Sequence, residues 1–235
     1  MGAVRSMRMQ GRAFNACGVR EVRTRRAGGM RARAESSGES SVLVCGGAGV
    51  AEEVGRVCVG QGKTTTEMRR AGSQAEPNES ATQVQCDALQ QSEVQAVFEQ
   101  VKPSVVISSV GGSPQDPSAD SDGNINLINA ALNAGTQRFV LVSSIGAGES
   151  KQATPEQVYS ALEPVLIEKE KAEARLTELQ SHMSFTVLRP GGLKSDGRTN
   201  NATITEDTRV IGSINRQARS WIGIGYFSDW LNVVD

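Results

Sequence analysis

The sequence predicts an α/β protein with a doubly wound parallel sheet in a single domain. Short apolar runs alternate with amphipathic stretches, the connections between them are brief, and the apolar runs are near-continuous. Alternation over short connections is the mark of βαβ units. Continuous apolar runs fit strands covered by helices on both faces. A chain of 235 residues suits one such domain better than two.

The elements follow in order along the chain. Residues 42–45 read as a strand that stops at Gly46. Val54, Val57 and Cys58 then recur at helical spacing, and Gly60 and Gly62 close that helix. Residues 63–68 form a threonine-rich second strand interrupted by Glu67, and residues 84–87 a third. Val94, Val97, Phe98 and Val101 mark a helical stripe stopped by Pro103. Residues 105–107 are a buried strand running toward Gly111 and Gly112. Ile125, Leu127, Ile128, Ala131 and Leu132 mark a helix ending at Gly135. A strand over 139–142, a long helix over 155–180 and a strand over 185–188, ended by Pro190, complete the series.

Composition narrows the function. Residues 1–34 hold nine arginines and one acid, Glu21, so they carry +8 while the remainder carries −9. Such an Arg-rich, acid-poor leader reads as an organelle transit peptide; the alternative is a basic tail that binds an acidic partner. Residues 1–39 are therefore expected to be leader and residues 40–216 the domain. No apolar run approaches the length of a membrane-spanning helix. Cys17, Cys45, Cys58 and Cys86 lack CxxC spacing, and His182 is the one histidine, which disfavours a metal site. Glu168, Glu170, Lys171, Glu173 and Arg175 read as a solvated helix face.

The glycine turn after the first strand carries the chemistry. Gly46, Gly47, Ala48 and Gly49 follow a strand directly and open a helix, the context that gives a dinucleotide fingerprint its meaning, and Val50 joins them as a cofactor-binding candidate. Free amides at the helix N-terminus favour an anion there. A plain tight turn is the alternative. Glu52 stands where a third glycine would serve close helix–strand packing, so looser packing is expected. Gly62, Lys63 and Thr64 imitate a nucleoside-triphosphate loop, but Val57 occupies its required glycine position and the element order is reversed.

Residues 42–49, 109–112, 123–128, 139–144, 169–176, 188–194, 205–207 and 212–216 together resemble the atypical short-chain dehydrogenase/reductase family. The resemblance is to its NmrA-like members, in the plastid branch of the Tic-complex NAD(P)-binding subunit. The Leu188-Arg189-Pro190-Gly191-Gly192-Leu193-Lys194 segment is its most specific motif. The resemblance implies a Rossmann sheet binding NADP, with NAD the alternative. Arg70 and Arg69 would face the 2′-phosphate, where a guanidinium grips bidentately. Asp87 would lie on the adenine side, with Val110, Gly111 and Gly112 beside phosphate and ribose. Ser143, Pro190, Gly191 and Gly192 would complete the cofactor contacts. Ser144 and Lys169 would be the catalytic candidates.

The Tyr-x-x-x-Lys pair of typical short-chain reductases is absent: Glu163 follows Tyr159 at that spacing, and no tyrosine precedes Lys169 by four. General acid catalysis needs a positioned proton donor. The expected function is therefore a redox-responsive, cofactor-binding or scaffold subunit in the chloroplast, in the stroma or at the thylakoid, with a plastid protein partner and no nucleic acid. An NADPH-dependent oxidoreductase of a small carbonyl or quinone-like substrate is the alternative. Residues 217–235, which concentrate Trp221, Tyr226, Phe227 and Trp230, leave the resemblance and read as a divergent tail, with the C-terminal part truncated or replaced.

Overall fold

The computed structural model describes residues 5–8, 40–47, 49–194, 201–204, 208–209 and 213–215. Its strands are β1 Arg5–Arg8, β2 Ser41–Cys45, β3 Thr64–Arg69, β4 Thr82–Gln85, β5 Val105–Ser108, β6 Arg138–Val142, β7 Ser184–Leu188, β8 Gly192–Lys194, β9 Asn201–Ile204 and β10 Ser213–Asn215. The helices are α1 Val50–Gly60, α2 Gln91–Val101, α3 Asn124–Asn133 and α4 Glu156–Glu178. Two short pairs, β1 with β9 and β8 with β10, stand outside the main sheet. Ala48 and the proposed tail 217–235 lie outside the described residues, as does most of the arginine-rich leader.

Six strands form one parallel sheet in the order β4-β3-β2-β5-β6-β7. The period-two geometry of a strand sends alternate side chains to opposite faces. Val42 and Val44 of β2, Val105 and Ile107 of β5 and Val140 of β6 pack with Ala51, Val54 and Cys58 of α1. Leu43, Val106, Phe139 and Leu141 point the other way, to Val94 and Phe98 of α2, Leu127 and Ile128 of α3, and Leu176 of α4. Both faces are thus covered, as the continuous apolar strands predict.

The strand order reverses once, between β2 and β5. Chain leaving β2 moves outward to β3 and β4, then returns through α2 to β5 on the opposite side. Lys102 makes that return: it ends α2 in the left-handed region at φ 47°, and Pro103 prevents further helix. A crevice opens beyond the carboxyl ends of the strands at such a switch point.

Two expectations need correction. The third strand is Thr82–Gln85 rather than 84–87, because its pairing with Thr66–Arg69 fixes its place. Its side chains are mostly exposed, so no apolar run announces it. Glu67 does not interrupt β3; it is 2% exposed and sits inside the strand.

Candidate functional site

The glycine turn runs directly off β2. Gly46 continues the sheet by donating its amide to the Met68 carbonyl at 3.1 Å. Its φ of 144° and the Ser109 Oγ only 2.5 Å from where a Cβ would lie leave room for glycine alone. Gly47 faces Ser73 Oγ, and Gly49 begins α1 at φ 88° with no side-chain cap. The first amides of a helix have no intrahelical partner, so the turn presents uncapped donors beside Val50. Glu52 does not loosen the packing of this helix. It pairs with Arg56 one turn on, and Arg56 also holds Glu53 at 2.7 Å. Close approach is made instead at Gly55, where a Cβ would overlap the buried Glu67 carboxylate.

At the end of β3 the two arginines part. Arg69 pairs with Glu67 and donates to the Ala75 carbonyl at 2.9 Å. Arg70 is exposed and near Asp116. The Ser118 hydroxyl and amide hold the Asp116 carboxyl below the usual carboxylate range, and the Arg70 charge adds to this. Beyond β4, Asp87 turns the chain, its Oδ1 accepting the Leu89 amide at 3.0 Å.

Past β5, Ser109 donates its amide to the Cys45 carbonyl at 2.9 Å, which extends the sheet before Val110. Gly112 donates its amide to Asp120 Oδ2 at 2.8 Å, and a Cβ there would overlap the Asp116 carbonyl. Lys169, on α4, reaches this loop: its Nζ lies 2.7 Å from Asp120 Oδ1. Sheet order therefore gathers Gly46, Gly47, Gly49, Val50, Arg69, Arg70, Asp87, Val110, Gly111, Gly112 and Lys169 along one edge.

Beyond β6 and β7 a buried polar cluster forms. Ser143 donates its hydroxyl to Glu173, and Arg189 grips the same carboxylate, its Nη2 at 2.6 Å and Nε at 3.1 and 3.2 Å. That ion pair raises the Arg189 pKa, mainly through the hydrogen bonds Arg189 donates to Glu173. Glu173 is 6% exposed, so the solvated-face expectation fails for it. It holds for Glu168 and Lys171, which pair at 2.7 Å near solvent. Ser144 is half-buried and donates to the Ile145 carbonyl at 3.1 Å. The Pro190 carbonyl accepts the Ile145 amide at 2.9 Å, which docks the Pro190-Gly191-Gly192 segment beside that serine loop.

The model of the family described as NAD(P)H-binding matches residues 46–218. The chain belongs to the NAD(P)H-binding family. An uncharacterized chloroplastic protein of Arabidopsis thaliana is 38% identical over 102 residues, covering 41% of this chain and 36% of that protein. Protein TIC 62, chloroplastic, of Arabidopsis thaliana is 30% identical over 148 residues, covering 58% of this chain and 22% of that protein. The matches thus span well under half of either relative. Among solved structures, ChuY, described as an anaerobilin reductase from Escherichia coli O157:H7, superposes with a TM-score of 0.68. It covers 80% of this chain and 90% of its own at 23% identity, a likeness of fold.

The residues of this NAD(P)H-binding chain fit a dinucleotide. Gly46 leaves backbone where any side chain would collide, and the α1 N-terminus next to it is uncapped. Among the described residues no cluster of three or more His, Cys, Asp or Glu is placed to hold a metal, and no helix is long and apolar enough to cross a membrane. Sequence reasoning missed Asp120, Glu173 and Arg189 as site residues. Arg189 and Glu173 lie within segments that carry the family resemblance, and that was their available signal. Asp120 gave none: with Asp116 and Asp122 beside it, it reads as one of several acids before a helix.

Proposed function

We propose that this chain is an NADP(H)-preferring, cofactor-binding subunit of the atypical short-chain reductase type that acts in the plastid and responds to redox state. The observation that carries the reading is the state of Lys169. Its ammonium sits beside Gly111, paired with Asp120, and Val165 stands four residues before it where a phenol would be needed. The glycine turn, the β5 loop and the lysine offer a binding edge; a phenol donor is missing from the position that would feed it. When bound, the nicotinamide dinucleotide would carry a hydride. The chain's part is to hold it: Gly46, Gly47, Gly49 and Val50 at the pyrophosphate, Val110, Gly111 and Gly112 at the ribose, and Asp87 toward the adenine. Gly191 and Gly192 would flank the nicotinamide side with Ser143.

Arg70 supports NADP over NAD. Arg69 is committed to Glu67 and the Ala75 carbonyl, so the 2′-phosphate would be read by Arg70. Chloroplastic relatives and the arginine-rich leader over residues 1–39 support the plastid, with residues 40–216 as the working domain and a plastid protein as partner. Calorimetric titration of the full chain with NADPH and NADH tests this. Saturable binding that favours NADPH is expected, and Arg70→Ala weakens NADPH roughly tenfold, as loss of one charge-assisted hydrogen bond implies, while sparing NADH. Equal binding of both cofactors, unmoved by that change, overturns the preference.

Ser144 favours a second reading, an NADPH-dependent oxidoreductase of a small carbonyl or quinone-like substrate. Its half-buried hydroxyl lies on the loop after β6 that the Pro190 carbonyl joins. Substrate-dependent NADPH consumption across a carbonyl and quinone panel, lost in Ser144→Ala, would establish it.

A further inference from the structure

Asp120 is 1% exposed and lies in the π-helical turn Ala119–Gly123 that leads into α3. Interruptions of this kind often accompany functional sites. Its two oxygens are divided between two elements. Oδ1 lies 2.7 Å from Lys169 Nζ on α4, and Oδ2 accepts the Gly112 amide from the β5 loop at 2.8 Å. Gly111 lies against the pair: a Cβ there would come within 2.9 Å of Oδ1 and 3.7 Å of Lys169 Nζ.

The turn has a second clamp besides Asp120. Asn124, itself 1% exposed, donates from Nδ2 to the carbonyls of Val110, Ala119 and Asp120 at 3.1, 3.2 and 3.1 Å. Its Oδ1 accepts the Ser108 hydroxyl at 2.6 Å. One buried amide thus clamps the turn to the end of β5 alongside the Gly112–Asp120 bond, and the other carboxylate oxygen, Oδ1, is directed at Lys169. A buried anion is costly unless its partners are well placed. Here one partner is a lysine whose flexible four-carbon stem would otherwise sample many rotamers. With its side chain 15% exposed, Lys169 is fixed at the edge of the β5 loop.

We infer that Asp120 is a positioning residue for the nicotinamide half of the cofactor: its carboxylate holds the Lys169 ammonium and the Gly112 amide in one arrangement, ready for the ribose on that side. The inference rests on the dinucleotide reading of the site. It gives Lys169 a carboxylate partner from another element, while Val165 fills the position of the missing tyrosine on its own helix.

The test compares two ligands by calorimetry on the full chain: NADPH, and 2′,5′-ADP, which carries only the adenosine half. Asp120→Asn and Lys169→Met are each expected to weaken NADPH about tenfold and to leave 2′,5′-ADP unchanged, with the double variant no weaker than Lys169→Met alone. Equal losses for both ligands would mean that Asp120 merely maintains the fold, and unchanged NADPH affinity in Asp120→Asn would mean that it does not position the lysine; either overturns the inference. Wild-type protein that binds neither ligand would overturn the dinucleotide reading itself, a separate failure. Should Asp120→Asn not fold, Asp120→Glu, longer by one methylene, is expected to give the same selective loss at smaller size, and its absence overturns the inference equally.

Discussion

Gly55 shows how much one residue depends on another far away in sequence. It lies in the middle of α1, where glycine is a poor helix former, yet the buried Glu67 carboxylate beneath it leaves no space for a methyl group. Gly55→Ala is therefore expected to destabilise by about 1–3 kcal/mol, as overpacking does, despite the gain in helix propensity. Urea unfolding of the two proteins measures it. This is also where the sequence was least legible. The turn at Gly46 could be read from its place between a strand and a helix, because that is a local pattern. The need for a glycine at position 55 arises only when β3 turns Glu67 under α1, and nothing near Gly55 in the sequence signals that pairing. Arg69 and Arg70 differ for the same reason: adjacent in sequence, one is paired with the buried Glu67 and the other is exposed.

At the scale of elements, α4 is tied to the sheet by charge as well as by Leu176. Glu173 binds Ser143 just past β6 and Arg189 just past β7, so one helix side chain joins the ends of two strands. Removing the carboxylate strands a half-buried guanidinium, so Glu173→Ala is expected to cost about 3 kcal/mol in thermal or urea unfolding. Glu168→Ala, which breaks an exposed pair on the same helix, is expected to cost at most about 1 kcal/mol. Helical periodicity located α1, α2 and α3 because each buries an apolar stripe; α4 carries no such regular stripe, since Val158, Leu162 and Ile167 are exposed. On that helix the sequence could not separate Glu173 from Glu168, since charge spacing alone does not tell which side of a helix is covered. The two-residue displacement of β4 has a related cause: a mostly exposed edge strand is defined by its partner, and its own residues carry little apolar signal.

The whole molecule keeps its described thiols in the neutral form. Burial, and then the Glu67 charge, push the Cys58 thiol up to about 12; burial pushes Cys86 up to about 11 and raises Cys45 as well. A folded-state value above the unfolded one means that the native protein retains protons the unfolded chain releases. This contribution to stability is complete below pH 9.0, the ordinary thiol value, and is lost as pH rises toward about 12. Urea unfolding between pH 7 and 11 should show that decline, and Cys58→Ala should make it shallower. The class of fold and its strand series were open to the eye in the sequence, since both rest on repeated local patterns. The carboxyl-edge assembly of Asp120 with Lys169, and of Glu173 with Arg189, needed the sheet order to bring distant segments together. That order has a further result. Because the connections leaving the paired strands β2 and β5 run to opposite sides of the switch, the cleft has one bank made by chain before Lys102 and another made by chain after it. A molecule that spans such a cleft acts as a mortar between successive halves, and mass action then couples occupancy to endurance: at a hundred times its dissociation constant it adds about 2.7 kcal/mol. Heat resistance of this chain would thereby follow the local supply of the ligand that bridges the two banks.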